Sequence, residues 1–250
     1  MTLKIKNIYF VFILFVTIFT SAIAGPPYDT DDPEPVDFRH WEFYLSSRPV
    51  HDDIGWNGTA PHAEVNYGAF ENLQLHIILP FAFNSPSVGK SNYGFGDVEL
   101  GFKYRFVKET STMPQIGIFP MVDLPTGSMN KGLGNGKTQV FLPVWLQKSF
   151  GKWTTYGGAG YRINNAEGNK NSVYIGALLQ NHLRENLSIG VEVYHITPET
   201  GDGVSENRFN IGAVYDVTEN HHILISAGKS ISGSTLFQGY IGYQLTFGPK

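Results

Sequence analysis

The sequence predicts an all-β fold, a transmembrane antiparallel up-and-down β-barrel of about twelve strands. Behind an apolar N-terminus, no run of apolar residues is long enough to cross a bilayer as a helix. Instead, segments of about eight to twelve residues alternate apolar and polar side chains, the length and pattern of strands that cross a membrane at a tilt. The connections between them alternate short and long, as they do when one rim faces the periplasm and the other the outside.

Lys4 and Lys6 precede a nearly unbroken apolar run from Ile8 to Phe19, and Ser21-Ala22-Ile23-Ala24 ends in the small-x-small pattern that signal peptidase accepts. Residues 1–24 are expected to be a cleaved signal peptide, because the run is shorter than the ~20 residues of a spanning helix and an Asp-rich stretch follows at once. Residues 25–39 then form an acidic, Pro-rich periplasmic leader, and residues 40–250 form the barrel. The five carboxylates of 29–37 lie among prolines, where they repel one another and favour a solvated, polyproline-like strip. A plug or a partner-docking strip is the functional alternative for this segment. It lacks the glycine turn and ligand spacing of a calcium loop.

In 98–106, Val98, Leu100, Phe102, Tyr104 and Phe106 share one face, and Glu99, Lys103 and Arg105 share the other. A period of two belongs to strands. Leu73 to Phe81, Leu187 to Val193 and Phe237 to Phe247 repeat the pattern, with the apolar face toward lipid and the polar face inward. The expected strands are 40–49, 61–69, 73–83, 95–107, 114–123, 138–149, 153–163, 172–183, 187–197, 207–217, 221–230 and 236–247. Their even number suits a bacterial single-chain barrel. Glu71-Asn72, Gly151-Lys152, 184–186 and 218–220 read as periplasmic turns, and 84–94, 124–137, 164–171 and 198–206 as outer loops. Pro120 and Pro143 fall inside expected strands, where each removes a ladder donor. The nearby Gly157-Gly158-Ala159-Gly160 run signals a bulge or a close backbone approach.

With 18 Lys+Arg and 22 Asp+Glu, removal of the signal and its two lysines leaves 16 against 22, a net charge of −6. That balance argues against a nucleic-acid partner. The absence of cysteine excludes a lipoprotein anchor, disulfides and thiol chemistry.

Residues 25–37 followed by His40-Trp41-Glu42-Phe43-Tyr44 resemble the start of mature outer-membrane proteins of the MetA-pathway-of-phenol-degradation family. Gly94-Phe95-Gly96-Asp97 leading into Leu100 to Phe106 resembles that family's central strand. Leu124-Pro125-Thr126-Gly127, 132–136 and Trp145 to Gly158 are similar too, so the resemblance spans nearly the whole mature chain. It implies a Gram-negative outer-membrane barrel that passes small solutes, aromatic or hydrophobic compounds among them, with lipid, lipopolysaccharide and the barrel-assembly machinery as partners and no cofactor. The chain departs from the pattern at its end, where Gly248-Pro249-Lys250 follows Phe247.

Other motifs carry less. Gly132 to Thr138 imitates a phosphate loop, but Lys131 stands where the first glycine belongs and a strand follows in place of a helix. His222 and Ser226 share a strand face yet lie ~13 Å apart along it, too far for a nucleophile and its base. No catalytic or metal-binding residue is expected. The expected pore-lining residues are the inward charges Glu42, Glu64, His76, Asp97, Glu99, Lys103, Arg105, Arg162 and Glu192, since a charge facing a lumen must meet water or a partner. Transport is the leading function. A closed structural or partner-binding barrel is the alternative, and a lipid-modifying enzyme a weaker third.

Overall fold

The computed structural model describes residues 25–249, so the expected signal peptide lies outside the described residues. Its β-segments form one sheet that closes on itself. Two wall strands are each interrupted once, which makes a twelve-stranded barrel. The strands are β1 (Trp41–Asp52), β2 (Gly55–Phe70), β3 (Leu73–Pro86), β4 (Asn92–Phe95 and Val98–Val107), β5 (Gln115–Ile118 and Met121–Leu124) and β6 (Gln139–Phe150). They continue as β7 (Trp153–Asn164), β8 (Ser172–Arg184), β9 (Leu187–Ile196), β10 (Glu206–Asp216), β11 (His221–Ser232) and β12 (Thr235–Phe247). Every pairing is antiparallel, and β1 closes the wall on β12 from Trp41 opposite Phe247 to Asp52 opposite Thr235.

Alternation decides which face meets lipid. In β9, Ile189, Val191 and Val193 are exposed outward while Gly190, Glu192 and Tyr194 are buried in the lumen. Aromatic rings girdle both ends of the apolar band. At the periplasmic end Trp41 packs on Tyr67 and Phe43 on Phe247, with centroids 4.3 and 5.5 Å apart. At the outer end Phe81 packs on Phe95 at 4.4 Å and Trp56 on Phe237 at 5.9 Å. An apolar belt that runs round a closed wall, bounded by aromatic girdles, places the chain in the bacterial outer membrane. Val191→Arg is therefore expected to lower folding yield into lipid vesicles far more than Ser188→Arg. A cation on the lipid face near the midplane costs about 2–4 kcal/mol, whereas Ser188 faces the polar interior. Equal yields would show the register to be wrong.

The structure departs from expectation at 50–60, which lies between the expected strands 40–49 and 61–69 but is almost wholly strand. β1 runs to Asp52 and β2 restarts at Gly55, and Asp52 Oδ1 accepts the backbone N–H groups of Ile54 and Gly55 at 2.9 and 3.1 Å. That carboxylate-closed turn is a tight hairpin. Pro49, Gly58 and Pro61 obscure the alternation there.

One interruption absorbs both awkward prolines. The ladder between β5 and β6 pairs Ile118 with Val144 and Met121 with Phe141, and skips the residues between. In that gap Pro120 lies opposite Leu142 and Pro143 opposite Phe119, so both prolines fall where this ladder is already broken. The glycine run on β7 lies beside it. A Cβ on Gly158 would stand 2.7 Å from the Trp145 ring, and one on Gly160 would strike the Phe141 ring. The two rings lie flat over bare backbone and into the lumen.

Candidate functional site

Residues 25–37, expected in the periplasm, lie inside the barrel, because their carboxylates find partners on the wall. Asp29 pairs with Arg48 at 2.8 Å and accepts from Tyr194 Oη at 2.8 Å and Gln238 Nε2 at 3.1 Å. The Thr30 backbone N–H donates to Glu192, and its hydroxyl meets Tyr174 Oη at 2.8 Å. Lys103 Nζ reaches Asp31 at 2.9 Å and Asp32 at 3.4 Å. Glu34 takes Arg105, Gln115 and Gln147 at 3.5, 3.2 and 3.3 Å, and the Val36 N–H donates to Gln74 at 2.9 Å. Thr30 and Asp32 are 0% and 1% exposed, values that exclude a solvated strip. Burial pushes the Asp32 carboxyl well above the usual carboxylate range, Lys103 draws it down, and Asp31 and Glu34 push it further up.

Glycines seat the leader. Gly190 and Gly212 stand directly opposite each other on β9 and β10, and a Cβ on either would come within 2.5 or 2.8 Å of Tyr28.

All nine expected lining residues lie on the inner face, but they divide into groups. Lys103, Arg105 and Glu192 hold the leader. Asp97 accepts the backbone N–H groups of Gly127 and Asn135 at 2.8 and 2.6 Å, so it ties the outer loop 125–138 across the mouth. His76 Nε2 meets Glu99 at 3.0 Å, and its Nδ1 lies 2.6 Å from Asn66 Oδ1 and 3.6 Å from Glu64. Arg162 pairs with Asp123 at 3.0 Å. Glu42 accepts from Tyr44 Oη at 2.8 Å and lines a cavity of about 100 Å³ on the periplasmic side of the leader.

The main cavity, about 450 Å³, lies between leader and loop. Tyr28, Asp29 and Asp31 form its floor, and Leu133 and Gly134 of the loop its roof. Phe141, Trp145, Tyr174 and Tyr194 make one wall, with Tyr174 centroids 6.2, 5.9 and 5.4 Å from those of the other three. Of the nine expected residues, Glu64, His76, Asp97, Glu99 and Arg162 line this cavity. Arg48, Arg208 and Asp123 also line it, and the sequence reading passed over them. Period two held the signal for Arg48, which shares the face of Glu42, Tyr44 and Ser46.

The sequence signature of the family described as "Putative MetA-pathway of phenol degradation" matches residues 55–247. The chain belongs to that family. The matched span takes in β2 to β12 and leaves out the leader and β1. The COG4313 outer membrane channel from Pseudomonas putida F1 is 16% identical over 88% of this chain and 100% of its own, with a TM-score of 0.72. The KdgM porin in complex with disordered oligogalacturonate is 7% identical over 82% and 99%, with a TM-score of 0.59. The NanC porin is 7% identical over 84% and 100%, with a TM-score of 0.53. At such identities the likeness is one of fold, that of a closed antiparallel β-barrel. No curated protein matches the sequence.

Proposed function

We propose that the protein is an outer-membrane channel for small solutes, aromatic or hydrophobic compounds among them, whose path runs through the main cavity. The observation that carries this reading is a space of about 450 Å³ inside the lumen, walled on one side by four aromatic rings and on another by charged groups. Ile78, Pro80, Ala82 and Met121 add apolar surface. A cavity of this size and mixed lining suits a small organic molecule. Glu64, His76, Asp97, Glu99 and Arg162 line the path, while Glu42, Lys103, Arg105 and Glu192 act lower down, through the leader and the space beneath it. Lipopolysaccharide and the barrel-assembly machinery are the partners that the location supplies.

The role is non-catalytic. His222 Nδ1 meets Asp216 at 2.6 Å and Ser226 Oγ donates to the Pro27 carbonyl at 2.6 Å, so these two are not a base and its nucleophile. His182 Nδ1 does meet Ser188 Oγ at 2.7 Å, but no carboxylate is hydrogen-bonded to that imidazole among the described residues to orient it as a base.

Reconstitution tests the reading. Planar bilayers should show small, steady conductance steps, and liposomes should swell in small solutes while excluding larger ones. Silent bilayers together with unswollen liposomes would leave the closed structural barrel, which the leader across the lumen favours.

A further inference from the structure

We propose that the main cavity takes organic cations, a protonated amine on an aromatic or apolar body, in preference to anions of the same size. The proposal rests on the channel reading and adds charge selection to it. Seven carboxylates line the space, Asp29, Asp31, Glu64, Asp97, Glu99, Asp123 and Glu199, against the three guanidinium groups of Arg48, Arg162 and Arg208. Each guanidinium is already committed: Arg48 to Asp29 at 2.8 Å, Arg162 to Asp123 at 3.0 Å and Arg208 to Glu206 at 3.1 Å. An anion entering this space would find each of these arginines paired. It would face Glu64 and Glu99, which share the one imidazole of His76 at 3.6 and 3.0 Å, and Glu199, which has no ion-pair partner among the described residues. A carboxylate-rich confined space concentrates cations and repels anions.

The aromatic wall points the same way. Arg162 lies over the Phe141 ring at 4.9 Å and Arg208 over the Tyr194 ring at 6.0 Å, so these rings already hold cations against the wall of the cavity. Two buried polar atoms on the lining, His62 Nε2 and Trp145 Nε1, have no hydrogen-bond partner. Their residues are 6% and 1% exposed, and the two nitrogens themselves lie just beneath the cavity surface. His62 Nδ1 lies 3.0 Å from Thr59 Oγ1. With the proton on Nδ1 donated to that hydroxyl, Nε2 keeps an unused lone pair that a small turn of the ring would offer to an ammonium N–H. Glu64 is two residues further along the same inner face, about 7 Å away, close enough to act as counter-ion.

Planar bilayers across a KCl gradient test this, with phenethylammonium chloride and sodium benzoate as probes of like size and opposite charge. The reversal potential should report K⁺ preferred over Cl⁻, and phenethylammonium should reduce the K⁺ current at concentrations at which benzoate leaves it unchanged. Glu64→Gln with Glu99→Gln should lower the K⁺ preference several-fold. Glu199→Gln, on the outer loop, should lower it by less and does not burden folding. His62→Phe, which fills the same space without the nitrogens, should weaken the phenethylammonium block and leave the K⁺/Cl⁻ ratio in place. A conducting channel that is unselective or prefers Cl⁻, or one blocked equally by both probes, would overturn the charge selection and leave the channel reading standing. A silent bilayer together with liposomes that swell in neither probe would overturn both.

Discussion

Replacing Lys103 and Arg105 by glutamine is expected to cost the folded protein about 3–5 kcal/mol, the range for removing one side of a buried ion pair. Lys103 is 4% exposed and holds both Asp31 and Asp32, while Arg105 holds Glu34. Their loss leaves three leader carboxylates inside the lumen without a cation, and a buried unpaired charge is the expensive half of a broken pair. Unfolding in denaturant, read by the loss of heat-resistant migration in gels, measures it. Adding Asp31→Asn and Asp32→Asn should restore much of the loss, because partners in one network are not additive. A change below about 1 kcal/mol, the scale of an exposed pair, would mean that these ion pairs do not seat the leader. Selectivity shifted toward cations with stability unchanged would mean that the two side chains stand in open water.

A second large effect is expected from Gly190→Val combined with Gly212→Val. The two glycines face each other under the Tyr28 ring, and side chains on both would occupy the space that the ring and its hydroxyl fill. Both positions point into the lumen, so the lipid face is untouched. A Cβ at Gly212 also meets the Ile225 carbonyl of the wall at 2.8 Å, so Gly190→Val alone, whose nearest contacts are all with Tyr28, serves as the variant that spares the wall. Displacement of the leader should raise single-channel conductance several-fold and expose residues 28–37 to added protease in liposomes. Conductance unchanged in the variant would show that the leader is not the main barrier to flow.

The wall was legible because each strand repeats a two-residue period, and one strand such as Val98 to Phe106 states inside and outside without reference to any other. The turns at Glu71-Asn72 and Gly151-Lys152 were equally local. The hairpin at Asp53-Ile54 was hidden, since its flanking prolines and Gly58 interrupt the pattern that strands announce. The leader was misplaced for a different reason. Asp29, Asp31, Asp32 and Glu34 repel one another when read alone, and only closure of the barrel brings Arg48, Lys103 and Arg105, from β1 and β4, around them. Sequence spacing carries no trace of pairs formed 19 to 72 residues apart. The inward charges were identified as a set, but which of them would meet the leader, the outer loop or open cavity depended on those same distant contacts.

Because the leader is part of the chain, every barrel carries one copy of a ligand for its own interior. A ligand held by a short flexible connection acts at an effective concentration in the millimolar range. A solute that must take the places of Asp29 or Asp31 on the cavity floor competes against that local dose, and its apparent affinity falls by about the ratio of that effective concentration to the leader's own dissociation constant. A solute small enough to rest on the aromatic wall above the floor escapes the competition. The length of the tether, as much as the shape of the pocket, therefore sets which molecules can hold their place inside.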